Sequence, residues 1–309
     1  YCLRGFVILF CAYLFAGLIL HAAVYSQEGH KQDPQPPKAP LGFTEASIIL
    51  GSVLALFLIF VIIQFRYLFF GQNNIALNGF TYSEYARRGF GELVAVAVIT
   101  LLLMLGLNAL TIRHNNQQER IFFILLSGLV CTTLIILASA FQRLLLYESA
   151  YGFTELRTYT HIFMVWLTIL FLSSLFMIVK KNLRFFANVA FGVLFGFTMT
   201  LNVLNVDAFI AHQNIQRAWQ GKELDIAYLA SLTDDAVPQL VEAYTSSKIP
   251  TDIQEKIGAV LLCHRVINNV QEYQQKPWQS FHLSYWRAQH AFQTIEKDLN
   301  RYQVVEGTG

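Results

Sequence analysis

The sequence predicts an all-α, polytopic membrane protein with about six transmembrane helices plus a C-terminal soluble helical domain. Of its 309 residues, 55% are hydrophobic and only 14% are charged, so the chain is more apolar than an average soluble domain. A helix needs about 20 predominantly apolar residues to cross the hydrocarbon core of a bilayer. Six segments of the chain meet that requirement, and clear polar sequence separates them.

The six predicted spans all lie in the first two thirds of the chain. They cover residues 5–24, 47–70, 93–112, 121–146, 158–179 and 185–206. The segment 27–40 contains four prolines and must be a loop, whereas tight polar turns follow the third and fifth spans. Those tight turns predict that the third and fourth spans, and the fifth and sixth, are antiparallel neighbours. The transmembrane domain is predicted to occupy residues 1–207.

A mixed aromatic and charged segment precedes the third span. Residues 80–92 interleave Phe80, Tyr82 and Tyr85 with arginines and glutamates. Aromatic side chains favour the membrane interface and arginines favour phosphate, so this segment is predicted to form a helix lying in the headgroup region. The structural interpretation is an interfacial anchor, and the functional one is a lipid-headgroup binding site.

After residue 207 the pattern changes to amphipathic helices, which predicts a soluble helical domain over residues 208–309. Asp234 and Asp235 precede Val237-Pro238, a helix start with acidic residues and a first-turn proline. Two longer helices follow, and their narrow apolar seams are typical of helix-on-helix packing. The break near Pro277 predicts that these two helices fold into a hairpin.

The densest ionisable chemistry lies between the fourth and fifth spans. Seven residues there form the candidate polar cluster: Arg143, Tyr147, Glu148, Glu155, Arg157, Tyr159 and His161. The i, i+4 spacing of Arg157 and His161 places both on one helix face. Gly152 permits the turn between the two helices, and Thr154 is the expected N-cap of the second.

Two interpretations of this cluster are open. In the structural one, Arg143 and Arg157 each pair with one of the two glutamates, and the tyrosines belong to the aromatic belt at the headgroup boundary. In the functional one, a glutamate exchanges protons and an arginine binds an anionic group. His161 favours a function, because it lies just inside an apolar run, where a titratable group is a functional candidate by default.

A second polar set is predicted on the same side of the membrane. With alternating helices, the segment before the third span and the end of the sixth face the same leaflet as the cluster. The members of this set are Glu84, Arg87, Arg88, Glu92, Asn202, Asn205, Asp207 and His212, with Asn214 and Arg217 following on the same helix. Their convergence favours a site, but a charged surface for a partner protein predicts the same arrangement.

No cofactor, metal or nucleic acid is predicted. A haem between helices needs paired buried histidines and a zinc protease needs HExxH, and neither pattern occurs in the sequence. His264 is predicted to be a packed core histidine rather than a metal ligand, and Cys263 to lie on the inner face of the same helix. The net charge is +2 without a large basic cluster, which is atypical of nucleic-acid-binding proteins.

Five phrases of the sequence carry a family resemblance. They are LRGF (3–6), FTYSEYARRGFGEL (80–93), AYGFTELRTYTHIFMVWL (150–167), NVDAFIAHQNIQRA (205–218) and LDIAYLASLTDDAVPQLV (224–241). Together they resemble the bacterial membrane family called domain of unknown function 4173. The resemblance implies a polytopic bacterial inner-membrane protein, often with further helices upstream, and it implies no activity.

Three functions follow as hypotheses. The first is a non-enzymatic scaffold, signalling or assembly subunit whose C-terminal helices dock a protein partner. The second is a transporter or proton-coupled carrier that uses the cluster from Glu148 to His161, and the third is a membrane-embedded enzyme acting on a lipid headgroup. The predicted location is the bacterial inner (cytoplasmic) membrane, in contact with its lipids, with the C-terminal domain in the cytoplasm.

Overall fold

The computed structural model describes residues 41–70, 82–267 and 283–299, with the exception of the side chains at 64–70, 82–89, 92 and 267. Within these ranges the chain is helical, and its β-type pairing is an isolated bridge between Leu41 and Thr111. This bridge ties the start of the first described helix to the end of the second.

Five long helices come first. They are α1 (Phe43–Phe70), α2 (Tyr82–Leu110), α3 (Asn116–Tyr151), α4 (Glu155–Val179) and α5 (Phe186–Val203), the last preceded by a 3-10 turn at Leu183–Phe185. Each contains a stretch long and apolar enough to cross a membrane. They correspond to the second to sixth predicted spans, whereas the first predicted span, 5–24, lies outside the described residues. The chain is therefore an all-α polytopic membrane protein.

The helix α3 lies at the centre of the membrane helices. Its 36 residues extend about 54 Å at 1.5 Å per residue. It packs against α1, α2 and α4, and α4 packs against α5. The two neighbouring pairs predicted from tight turns, α2 with α3 and α4 with α5, are thereby confirmed. Inside this bundle the hydroxyls of Thr100 and Thr133 bond at 2.7 Å, so each buried hydroxyl has a partner.

The packing of α4 on α5 depends on a glycine. The indole of Trp166 lies against Gly196, where an added Cβ would be only 2.1 Å from the ring. The indole N–H of Trp166 also donates to the Thr200 hydroxyl at 3.1 Å. A small residue in one helix thus admits a large ring from the other, as is common between membrane helices.

The segment predicted to form a helix in the headgroup region, residues 80–92, is helical from Tyr82, and it is continuous with the helix of the third span. Residues from Tyr82 onward belong to α2, which continues without interruption to Leu110. Glycines in this stretch weaken a helix by about 1 kcal/mol each. A backbone approaching the bilayer nevertheless gains from keeping its hydrogen bonds within the helix, which favours continuity.

The remaining helices form a second core. They are α6 (Val206–Trp219), α7 (Ile226–Ser231), a 3-10 turn (Asp234–Ala236), α8 (Val237–Thr245), α9 (Thr251–Ile267) and α10 (Leu283–Leu299). Their buried apolar side chains cluster apart from those of α1 to α4. The first-turn proline predicted for α8 is confirmed as Pro238, and the Asp225 carboxylate caps α7 by accepting from the Tyr228 N–H at 2.9 Å.

The apolar seams of α9 and α10 pack differently from the prediction. The seam residues Ile253, Ile257 and Val260 are buried. However, α9 packs mainly on α7 and α8, and α10 packs mainly on α8 and the 3-10 turn. The short helices therefore lie between the two long ones, a layout that seam spacing alone does not reveal. The predicted turn of the hairpin, near Pro277, lies outside the described residues.

Two single-residue predictions in α9 have opposite outcomes. His264 is a core histidine as predicted, because it is buried and its Nε2 lies 3.2 Å from the Leu229 carbonyl. Cys263 was predicted to face inward and is exposed. Successive residues of a helix point about 100° apart, and in α9 this rotation places Cys263 outside the core while His264 lies in it.

Candidate functional site

The junction between α3 and α4, residues 148–157, carries most of the candidate polar cluster. The chain turns at Gly152, whose φ is 86° and ψ is 173°. The Gly152 N–H donates to the Glu148 carbonyl at 2.8 Å, which closes the last turn of α3. Because α4 starts only three residues later, the end of one helix and the start of the next lie side by side.

Glu148 and His161 form an ionisable pair at this junction. Oε1 of Glu148 lies 3.0 Å from Nδ1 of His161, and the two side chains are 1% and 17% exposed. The two atoms are within hydrogen-bond distance, and an ionised carboxylate at this position accepts from Nδ1–H. The Phe141 ring stands edge-on to the imidazole at 4.7 Å. The sequence interpretation had paired the glutamates with arginines and had not matched Glu148 with this histidine.

Each member of the pair has one polar atom without a partner among the described residues. These atoms are Oε2 of Glu148 and Nε2 of His161, and both are buried. A buried polar atom left unsatisfied costs roughly 1–3 kcal/mol, and in native proteins it commonly marks an ordered water or a functional group. Both atoms belong to one hydrogen-bonded pair that joins α3 to α4.

Arg157 is held in the junction by uncharged groups. Its guanidinium carbon lies 4.0 Å from the centre of the Tyr147 ring, a cation–π contact. Its Nη1 donates to the Gly152 carbonyl. A pairing of Arg157 with a glutamate was predicted, and the described contacts are instead this ring and this carbonyl. The sharp turn at Gly152 explains the difference, because it presents a backbone acceptor within reach of the first turn of α4.

The other three members of the cluster are less buried than Glu148. Arg143 and Glu155 are half-buried, and Tyr159 is exposed. The structure therefore arranges four of the seven predicted residues as two contacting pairs, an ionisable one and a cation–π one. Sequence spacing had identified the segment but not these partners.

Asn214 on α6 holds the turn between the two membrane helices. Its side chain is buried, its Oδ1 accepts from the Phe153 N–H and its Nδ2 donates to the Phe153 carbonyl, both at 2.9 Å. One side-chain amide thus satisfies both backbone groups of a turn residue. Phe153 also packs against the core of the C-terminal helices.

Arg217, one turn further along α6, holds the end of α3. Its Nη2 donates to the carbonyls of Ser149 and Ala150 at 3.2 and 3.3 Å. The last four carbonyls of a helix lack partners within it, and a cation there is also favoured by the helix dipole. Burial lowers the pKa of the Arg217 guanidinium, and the nearby Arg157 cation lowers it further. Arginine nevertheless stays charged in proteins, so the contact remains charge-assisted.

Tyr228 on α7 caps the start of α4. Its hydroxyl accepts from the Glu155 N–H at 2.9 Å. Thr154 occupies the N-cap position, as predicted, but its side chain forms no cap hydrogen bond. Burial raises the pKa of the Tyr228 hydroxyl above its ordinary value, so the group stays neutral at physiological pH. The start of α4 is thus capped by a side chain of the C-terminal domain, and not by the N-cap residue Thr154.

The second polar set is engaged in local bonds where the structure describes it. Oδ2 of Asp207 accepts from the Thr233 N–H at 3.0 Å and from the Thr233 hydroxyl, which fixes the turn before α8. The other described members bond within their own helical segments: Asn205 with Ala208, His212 with Gln216, and Asn202 with Thr198. The side chains of Glu84, Arg87, Arg88 and Glu92 lie outside the described part of the chain.

Sequence reasoning missed the residues that join the two domains. Asn214 and Arg217 had been noted only as polar neighbours on the sixth span, and Tyr228 had not been noted. One signal was present, since Asn214 interrupts an apolar stripe formed with Ile210 and Ala218 at helical spacing. A buried asparagine of this kind needs a hydrogen-bond partner, but its partner lies 61 positions earlier in the chain.

Comparison with known proteins gives one result. A family model described as "Domain of unknown function (DUF4153)" matches residues 2–243. The resemblance inferred above was to a differently numbered family of the same kind, and that specific assignment is not matched. No curated protein and no solved structure matches the chain.

Proposed function

This chain belongs to the DUF4153 family of domains of unknown function, and from its contacts we propose that it is a non-enzymatic scaffold, signalling or assembly subunit of the bacterial inner membrane. Its C-terminal helices, on the cytoplasmic side, dock a protein partner. The observation that carries this proposal is the use of Asn214, Arg217 and Tyr228 to hold the C-terminal helices on the α3–α4 junction.

The hydrogen bonds at the junction favour a structural connection between the two domains over a substrate-binding site. The backbone groups that three side chains satisfy, from Ser149 to Glu155, are the groups that a helix end would otherwise offer to a ligand or to water. Because side chains of the C-terminal helices occupy them, hydrogen bonds connect the two domains at this junction. A partner bound to the C-terminal domain is thus mechanically coupled to α3 and α4.

The outer face of α10 supports a docking role. Leu283, Trp286 and His290 follow one another at helical spacing, and the side chains of Leu283 and Trp286 are 51% and 55% exposed. The Trp286 and His290 rings stack with centroids 5.9 Å apart and an angle of 3°. Exposed tryptophan beside aliphatic and aromatic neighbours is characteristic of the anchors that dominate protein interfaces.

Substituting Trp286 with glutamate is expected to remove the partner without unfolding the domain. An exposed side chain contributes little to the core, whereas a charge at an interface centre weakens binding by about 2 kcal/mol or more. The measurement is affinity purification from native membranes in mild detergent, with quantification of co-purifying protein. Wild type should retain a stoichiometric partner and Trp286→Glu should lose at least nine tenths of it.

Trp219→Glu is the matched control, because Trp219 is also a tryptophan of this domain, is 50% exposed and lies on α6. It should retain the partner. Equal recovery from all three proteins, or no stoichiometric partner with wild type, would refute docking at α10. Deletion of 246–309 is a poorer test, since α9 and α10 contribute Ile257, Val260 and Phe292 to the core.

Two buried atoms without a partner among the described residues, Oε2 of Glu148 and Nε2 of His161, favour a second candidate function, a proton-coupled carrier. Purified protein in liposomes loaded with a pH-sensitive dye is exposed to a potassium gradient and valinomycin, and proton entry is recorded. A carrier predicts entry above that of protein-free liposomes and at least a tenfold decrease with Glu148→Gln. Entry equal to that of protein-free liposomes rejects this candidate and leaves the docking proposal unaffected.

A further inference from the structure

A basic cavity lies at the end of the membrane helices opposite the α3–α4 junction. Its volume is about 530 Å³, and its lining includes Arg113, Lys181 and Arg184 against the single carboxylate of Glu119. Three cations against one anion leave an excess of positive charge in a concave site. Such a site favours an anionic group, above all phosphate, which accepts several charge-assisted hydrogen bonds.

The cations of this cavity are held in place to different degrees. Arg113 bonds to the side chain of Asn108 at 3.0 Å, and its guanidinium carbon lies 4.7 Å from the Phe122 ring centre. Lys181 lies 3.2 Å from the Glu119 carboxylate. The Arg184 side chain is exposed and has neither a hydrogen bond nor an ion pair with any residue the structure describes. The site thus combines an oriented guanidinium with one whose donors are available.

An apolar cavity adjoins the basic one. Its volume is about 900 Å³, it is lined mainly by apolar side chains of α4 and α5 such as Leu172, Phe176 and Val189, and Asn182 lines both cavities. From its end at Val179 to Leu172, α4 descends roughly 10 Å at 1.5 Å per residue. The apolar cavity therefore runs from the polar one into the depth of the bilayer.

The position along α3 places the basic cavity at headgroup level. Glu119 lines this cavity and Glu148 lies in the junction, so the 29 helical steps from one to the other span about 43 Å. A bilayer with its headgroup regions measures about 40–45 Å. When the junction lies at one surface of the membrane, the basic cavity lies at the other.

We propose that these two cavities together bind one anionic phospholipid. Its phosphate lies between Arg113, Lys181 and Arg184, and an acyl chain follows α4 past Phe176 and Leu172. A free phosphate would satisfy the basic cavity alone, but it would leave the adjoining apolar cavity without an occupant, so a lipid accounts for both. This site is independent of the partner docking proposed above, because it lies at the other end of the membrane helices.

The test measures lipid binding by native mass spectrometry of the full chain in detergent. The probes are dioleoyl phosphatidylglycerol, dioleoyl phosphatidylcholine, the chain-free headgroup glycerophosphoglycerol, and inorganic phosphate. We expect phosphatidylglycerol to bind at least tenfold more tightly than phosphatidylcholine, and the two chain-free probes to bind more weakly than either lipid. Tight binding of inorganic phosphate with no preference for the lipid would overturn the proposal in favour of a free-anion site.

Arg184→Gln is the diagnostic variant, and Arg120→Gln is its matched control. Both residues are exposed, so neither change threatens the fold, but only Arg184 lines the cavity. One basic side chain near an anionic lipid contributes about 1 kcal/mol, so Arg184→Gln should weaken phosphatidylglycerol binding about fivefold. Arg120→Gln should leave it within twofold of wild type. Equal effects of the two variants, or equal affinity of the wild type for the two lipids, would show that binding is nonspecific.

Discussion

Replacing Gly152 with alanine is expected to separate the C-terminal helices from the membrane helices and to lower the free energy of unfolding by about 3 kcal/mol or more. The φ of 86° and ψ of 173° belong to a region essentially restricted to glycine, which costs other residues about 1–3 kcal/mol. An added Cβ would also lie 2.6 Å from Nη1 of Arg217 and 2.8 Å from Oδ1 of Asn214. Backbone strain and the displacement of the Arg217 and Asn214 side chains from their hydrogen bonds both lower the free energy of unfolding.

The measurement combines thermal unfolding in detergent with limited proteolysis of the segment between α5 and α6. Gly221→Ala is the matched control, because Gly221 also has a positive φ, 83°, but an added Cβ there meets nothing within 4 Å. We expect the control to lose about 1 kcal/mol from backbone strain and to stay resistant to protease between α5 and α6. Similar losses and similar cleavage in both variants would mean that the junction contacts contribute little.

The transmembrane helices were predictable because their main determinant is local. A run of about 20 apolar residues must form a helix in a bilayer, whatever its neighbours are. The predicted spans over 121–146 and 158–179 therefore fall inside α3 and α4. The ends of the helices were less predictable, because α3 continues to Tyr151, five residues beyond the end of the predicted span at residue 146.

The partners inside the candidate site were not predictable for a physical reason. Each decisive bond joins residues far apart in the chain, such as Asn214 with Phe153 and Tyr228 with Glu155. Sequence spacing shows which residues share a helix face, but it contains no information on which other helix approaches that face. The same limit explains why Glu148 was matched with arginines nearby in sequence although a histidine on the facing helix bonds to it.

Replacing His161 with leucine is expected to destabilise the protein by about 3 kcal/mol, the cost of leaving a buried carboxylate without its hydrogen-bond partner. Glu148 is 1% exposed, and its Oε2 already lacks a partner among the described residues. Losing His161 leaves both carboxylate oxygens buried without this donor. The free energy of unfolding is measured by denaturant titration in detergent micelles, with tryptophan fluorescence as the signal.

The double variant Glu148→Leu with His161→Leu tests whether the pair exists for stability or for function. Replacing both members of a buried pair with apolar residues is commonly neutral or stabilising, so the double variant should recover most of the loss seen in His161→Leu alone. Additive losses would show that the two side chains do not interact as the 3.0 Å contact indicates. Recovery of stability has a further consequence: a pair that leucines can replace without loss is dispensable for folding. Such a result would favour a role of this ionisable pair, with one buried unsatisfied atom on each side chain, in proton transfer between α3 and α4.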